Sequence, residues 1–509
     1  MGLFNKKKGK RAAIAAHQDS HSGGRHEENG HFAKGSSSSK SSSNTPTMAS
    51  KSSPRASIPD VTLPKAPDPN RDPVAYLRSI YAVRERSGLV LERAKRDQLK
   101  HFGVDMSKFG DTARYVVSII KRDFADVGFD KIPPHGRWQH FDVGGRPRID
   151  QLLQSWSSTV NEQERTRRLL DLFLVSVLLD AGAGTKWKYT SKENGKVYRR
   201  SEGLAVASLE MFRAGAFSSN PQQPCQVDSV GLKRLTVVSM AHGLQVSEEN
   251  PIEGLQGRTG LLMRLSDALQ NHEVFGVDCR PGNMLDYLLS HPTTQAASVP
   301  IVLLPTFWDM LMSSLTPIWP ASRTQIDGQS IGDAWPLSIM PSHPAHPWES
   351  IVPFHKLTQW LCYSLQVPMT KLLNVHFAGV ELMTGLPEYR NGGLLIDTGL
   401  MTLKEEDETR GLEAFHKHAK DMGIKVVEVV PLFSPDDDVI VEWRAATVGF
   451  LDELLVEVNN GLGLKDKDRL SLAQMLEAGT WKGGRELAEV SRPNTKEPPI
   501  MILSDGTVF

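Results

Sequence analysis

The sequence predicts a mainly α-helical protein with small β elements, built as one large helical domain behind a disordered N-terminal tail. Three observations lead there. Apolar residues recur at spacings of three and four over much of the chain after residue 73, strand-like alternation is confined to short runs, and residues 1–70 differ in composition from everything that follows. The tail starts basic (Lys6, Lys7, Lys8, Lys10, Arg11), passes through Gly/His/Ser and serine-run stretches, and becomes Pro-rich over 58–70. Ordering a chain costs entropy that buried apolar area must offset, and this segment has too little of it.

The elements follow in order. Residues 75–100 carry Leu77, Ile80 and Val83, then Leu89 and Leu91, at helical spacing, and 112–124 repeats the signal. The apolar stretch 165–179, interrupted by Asp171, is a buried helix expected to end at Asp180-Ala181-Gly182-Ala183-Gly184, where small residues allow a tight turn. Trp187-Lys188-Tyr189-Thr190 and Val197-Tyr198-Arg199-Arg200 flank Asn194-Gly195, a hairpin signature. Ser201 is placed to cap a helix through Phe212, and further helices are expected at 259–270, 305–315, 354–365, 441–458 and 470–477. The best strands are 424–430 and 499–503. Residues 404–438, charged and helical at first and then β-rich, read as a surface insertion whose Asp436-Asp437-Asp438 is a solvated loop.

Composition removes several function classes. The 509 residues carry 59 Lys+Arg against 59 Asp+Glu, so there is no basic surplus of the kind that binds nucleic acid. The tail alone has an excess of six positive charges, which makes the remainder mildly acidic. A nuclear address or a weak membrane-surface contact is open to such a tail, beside simple solvation. No stretch has the roughly 20 apolar residues needed to span a bilayer. Met1-Gly2-Leu3-Phe4-Asn5 opens like a myristoylation signal, but Lys6 stands where Ser or Thr is wanted. Cys225, Cys279 and Cys362 form no Cys-x-x-Cys pair, so a reducing compartment, the cytoplasm with the nucleus as alternative, and no zinc module are expected. Phosphate-loop, dinucleotide-fold and His-Glu-x-x-His motifs are absent, and nucleotide hydrolysis, dinucleotide redox and zinc proteolysis lose weight. So does α/β-hydrolase chemistry, for want of a nucleophile elbow. His343 and His346 each precede a proline, which favours an extended loop over a metal site. No metal and no cofactor are expected.

Dense polar clusters remain. His135-Gly136-Arg137-Trp138-Gln139-His140-Phe141 is either a connecting loop docked by its rings or an anion clamp, with Arg137 as the cation and Trp138 as a wall. Asp180, followed by Trp187, Tyr189, Arg199, Arg200, Ser201 and Glu202, is a helix-end carboxylate open to a capping, ion-pair or site role. Lys356, Gln359 and Tyr363 share a helical face, either an ordinary amphipathic surface or a set aimed at one neighbour. The strongest candidate is Glu388-Tyr389-Arg390 between glycine-flanked turns: Glu388 to accept a proton or bind a sugar hydroxyl, Arg390 to hold an anion, or the two as a buried pair. Glu442-Trp443-Arg444 opens a long helix, where the dipole alone favours the carboxylate, so a cap and a catalytic role are both open to Glu442. The aromatic end, 504–509, is expected to dock.

These clusters, with Arg200-Ser201-Glu202-Gly203-Leu204 and Ala214-Gly215-Ala216-Phe217-Ser218-Ser219, resemble the fungal and bacterial uracil-catabolism protein four family of the pyrimidine ring-opening pathway, also called the uracil-regulated family, over residues 75–509. The tail and 404–438 look like additions to the compact bacterial pattern. A weaker similarity links Lys356, Gln359 and Glu388-Tyr389-Arg390 to the queuosine-salvage nucleotide hydrolases, whose fold is DNA-glycosylase-like; Glu388 stands where they have Asp, and Asp180 with Trp187 matches their Asp-to-aromatic segment.

The resemblance implies uracil (pyrimidine) catabolism and a hydrolase acting on the N-glycosidic bond of a ribosyl-urea-type nucleotide. Such cleavage passes through oxocarbenium character, which a carboxylate stabilises while an acid assists the leaving nitrogen. Glu388 and Asp180 are then the catalytic carboxylates. Lys356, Arg390 and Arg137 hold phosphate or sugar oxygens, Gln359 shares the Lys356 face, and Trp187, Tyr389 and Trp138 shape the pocket. The alternative is a non-catalytic nucleotide-binding or scaffolding partner of the other uracil-degradation enzymes.

Overall fold

Two helix pairs carry the core of the computed structural model, which describes residues 61–184, 186–320, 322–423 and 426–503. The expectations for residues 1–60, for Ile424-Lys425 and for the 504–509 terminus lie outside the described residues. The first pair centres on Asp438–Leu462, whose residues Val439 to Leu451 are all buried. It packs against Ile80–Ala94 and Phe109–Phe124. Asp437 caps its start and Gly463, at φ 73°, ends it. The second pair sets Glu162–Leu178 against Lys356–Leu373, with Arg137–Phe141 and Arg200–Arg213 alongside.

The strands are short. Tyr189–Thr190 pairs antiparallel with Val197–Tyr198 as the Asn194-Gly195 turn requires, Phe102–Val104 with Met401–Leu403, and Ala334–Pro336 with Ile351–Pro353. Pro300–Leu303 lies between Gln295–Ala296 and a parallel partner, His376–Ala378. Leu432–Phe433 runs parallel to Met501–Ile502, so the expected strand at 424–430 is displaced toward the C-terminus, while the one at 499–503 holds over its centre. Among the described residues no helix is long and apolar enough to cross a membrane.

Two boundaries differ from the expectation. Ser201 does not cap its helix: the helix starts two residues earlier, through Arg200 at φ 53° with Arg199 in the cap position. The stretch 470–477 is the short helix Leu472–Met475, which passes through a wide π turn, Leu476–Thr480, into a further helix, Trp481–Ser491.

The acidic triplet is solvated only at Asp436. Asp437 pairs with Arg410 at 2.6 Å. Asp438 binds Nε2 of His101 at 2.9 Å, while Asp407, on the charged helix Glu405–Asp421, binds its Nδ1 at 2.8 Å. Glu442 completes this knot by accepting the backbone amides of Lys100 (2.9 Å) and His101 (2.7 Å). Its place near the helix start is thus explained by main-chain hydrogen bonds to the preceding segment.

Candidate active site

Asp180 stands just past the C-terminal end of Glu162–Leu178, on a turn held from below. Arg258 is fully buried on Leu255–Ala268 and donates to the carbonyls of Leu179, Ala181 and Gly182, which fixes the backbone that carries the carboxylate. Arg137, on the short helix Arg137–Phe141, reaches the same point from the side. Its Nη1 lies 2.8 Å from Asp180 Oδ2, while Nε donates to Ser176 Oγ (2.8 Å) and Nη2 to the Ser176 carbonyl (3.0 Å). Nη1 also donates to His140 Nδ1 at 3.1 Å. A guanidinium can only donate, so Nδ1 is the acceptor and the ring proton sits on Nε2.

Glu388 caps the helix Tyr389–Asp397, accepting the backbone amides of Arg390 at 2.8 Å and Asn391 at 2.6 Å. Burial pushes its pKa up to about 7, against the pull of those amides and of Lys356. Lys356 begins Lys356–Leu373 after His355, at φ 46°. Burial lowers its pKa, which Glu388 partly restores, and its ammonium forms no ion pair among the described residues. The glycines that made 385–399 look like a loop serve helix packing instead: a Cβ on Gly392 would fall 2.7 Å from the Trp443 indole, and one on Gly484 would fall 2.0 Å from the Arg390 carbonyl oxygen. Tyr389–Asp397 therefore sits flush against Trp481–Ser491.

These parts meet at a cavity of about 180 Å³. Of the residues singled out from sequence, Asp180, Lys356, Glu388 and Tyr389 line it. The others do not. Arg137 lies behind Asp180 with its donors spent on protein groups, so it is unsuited to clamp an anion. Arg390 turns away: its guanidinium stacks on the Tyr389 ring at 4.9 Å and donates to the Lys496 carbonyl, and it makes no side-chain pair with Glu388. Trp138 donates to Asp142 and lies under Lys371, and Trp187 donates to the Leu244 carbonyl, both as core rings. Gln359 and Tyr363 both bind Thr384, so that face splits and Lys356 alone reaches the cavity.

The remaining wall was not chosen from sequence. His135, His140 and Trp360 come from clusters already flagged, as do Arg200 and Ser201. Trp481, Glu253 and Glu497 carried no local signal. The π turn delivers Trp481, and Glu477 within it holds Nδ1 of His135 at 2.6 Å. Burial raises the pKa of both Glu253 and Glu497. Arg200 donates to Glu497 and to the carbonyls of Thr495 and Lys496.

The sequence does contain the Gly-x-Ser-x-Gly letters whose absence counted against α/β-hydrolase chemistry. Gly328-Gln329-Ser330-Ile331-Gly332 has the letters of a nucleophile elbow, but Gln329–Ser330 pairs with Gln325–Ile326 as a hairpin and the Ser330 carbonyl is held by Arg78, so there is no strand-to-helix turn to present the hydroxyl. His343 and His346 lie on an exposed loop.

Fold and site together define a class: a helical protein with carboxylates, a lysine and imidazoles gathered in one cavity at the end of a buried helix. The chain belongs to the family described as "Protein of unknown function (DUF1688)", which matches residues 76–509. It is 45% identical over 446 residues to "Uracil catabolism protein 4" of Lachancea kluyveri, spanning 86% of this chain and 99% of that one. It is 44% identical over 437 residues to "Protein urg3" of Schizosaccharomyces pombe, again 86% and 99%. The resemblance read from the sequence is thus membership of the family.

Proposed function

We propose that this protein acts in uracil catabolism as an N-glycoside hydrolase that releases urea from a ribosyl-urea-type nucleotide. The name of the Lachancea kluyveri relative supports the pathway. One observation carries the chemistry: Glu388, poised near neutrality, shares a cavity with Asp180, one of whose oxygens is anchored by Arg137 while the other has no partner among the described residues. In this reading Glu388 gives its proton to the departing nitrogen as the C1′–N bond breaks. Asp180 faces the oxocarbenium-like carbon and takes a proton from the incoming water, whose oxygen completes the new C1′–O bond. Proton exchange with solvent then resets both acids. Lys356 and Arg200 are the cations available for phosphate, in place of Arg137 and Arg390. Incubation of the full chain with ribosyl-urea 5′-phosphate tests this by urea release. Glu388→Gln is expected to lower the rate by a factor of about 10²–10⁴; no urea from the native protein above that variant removes the proposal.

A further inference from the structure

The hydrolase reading uses the acids and leaves the cavity's aromatic wall without a role. That wall is built around His140. Its ring centroid lies 5.5 Å from that of Trp360, 5.6 Å from that of Trp481 and 6.2 Å from that of His135. His140 is 6% exposed and lines the cavity. Because Arg137 donates to Nδ1, the free atom is an Nε2–H, and it has no hydrogen-bond partner among the described residues. Trp360, also on the wall and 4% exposed, has an unpartnered Nε1–H. Two buried donors left unmade in one wall are costly, and a ligand that supplies an acceptor recovers that cost.

The chemistry of the donor selects the acceptor. Burial and the neighbouring Arg137 both lower the His140 pKa, so the ring offers an N–H without a charge. Phosphate oxygens are better matched by Lys356 and Arg200, whereas an uncharged N–H among rings suits an uncharged planar carbonyl. We propose that His140 Nε2–H, with Trp360 beside it, is the specificity element of the cavity and donates to the carbonyl oxygen of a ureido or amide leaving group. Arg137 is the positioning residue that sets the tautomer. The proposal rests on the hydrolase reading for which part of the substrate lies at this wall. In that frame the hydrogen bond strengthens as the C1′–N electron pair passes to the departing urea and negative charge grows on its oxygen.

The test uses the full chain carrying Glu388→Gln, with two probes: ribosyl-urea 5′-phosphate and its guanidino counterpart, which replaces C=O by a donor. Calorimetry is expected to show the ureide bound roughly tenfold to a hundredfold more tightly, as for a buried hydrogen bond. Adding His140→Phe should erase that preference, and His140→Gln, which keeps a donor near the Nε2 position, should retain most of it. Equal binding of the two probes, no binding of either, or a preference that survives His140→Phe overturns the proposal. A measurement independent of variants at His140 reads the ring directly: ¹⁵N-histidine spectra at neutral pH should show His140 as the Nε2–H tautomer and shift when the ureide is added. The other tautomer, a doubly protonated ring or an unmoved resonance refutes it. The two readings fail separately. Urea release with no His140-dependent preference sinks the recognition element alone, and the preference without urea release from the native protein sinks the hydrolase alone.

Discussion

His140 and His101 are both buried imidazoles beside charged groups, and their surroundings differ in what they leave undone. Both ring nitrogens of His101 are engaged, by Asp407 and Asp438, and Glu442 takes two backbone amides alongside. At His140 one nitrogen is used and the other is not, and the neighbouring Asp180 likewise keeps an unpartnered oxygen. A satisfied polar knot spends its interactions on holding elements together; a partly satisfied one costs stability and keeps capacity for a ligand. The first ties the charged helix Glu405–Asp421 to the body of the protein, and the second belongs to the cavity.

Three experiments sharpen or break this contrast. The largest effect is expected at Arg137. Arg137→Met strands a buried carboxylate and should cost about 3–5 kcal/mol in a denaturant titration, with urea release lost as well. A variant of native stability would mean that Asp180 is not held by this pair. Next is the alkaline limb of the rate profile. The proposed role of Glu388 as an acid requires its protonated form, so kcat/KM for urea release should fall as pH rises through about 7. A rate that climbs through neutrality would reverse the assigned role. The smallest effect is at the satisfied knot. Burial disfavours charge on His101, but its hydrogen bonds to Asp438 and Asp407 prevail and raise its pKa above the ordinary 6.5. A raised folded value means that the stabilisation is complete below pH 6.5 and lost as pH climbs past the folded pKa. Asp407 and Asp438 are themselves held below the usual carboxylate range, so they stay charged through that window. Protection factors against hydrogen exchange in 405–421 should fall as pH climbs past the folded pKa, His101→Gln should cost about 1 kcal/mol, and urea release should be untouched. Loss of activity there would erase the distinction between the two histidines.

What the sequence could disclose follows from how local each signal is. Helices with a clear apolar stripe, such as Glu162–Leu178 and Phe109–Phe124, were legible, and so was the Asn194-Gly195 hairpin. Tyr389–Asp397 was hidden because Gly392-Gly393 read as a loop, although their small size answers to Trp443 and Pro499 lying close by. Asp180 and Glu388 stood out as acids in unusual company, and both reach the cavity. Arg137, Arg390, Trp138 and Trp187 stood out equally and do not, since residue type announces charge or bulk but not direction. Trp481, Glu253 and Glu497 enter through tertiary packing, from segments whose own pattern is ordinary.

The π turn at Leu476–Thr480 makes the wall sensitive to chain length rather than to side-chain identity. The turn already holds one residue more than an α turn over nearly the same rotation and rise, so adding a further residue there would rotate everything after it by about 100°. Trp481 would swing off the imidazoles, and Gly484 would no longer meet the Arg390 carbonyl. An insertion that alters no residue lining the cavity would thus dismantle one side of it.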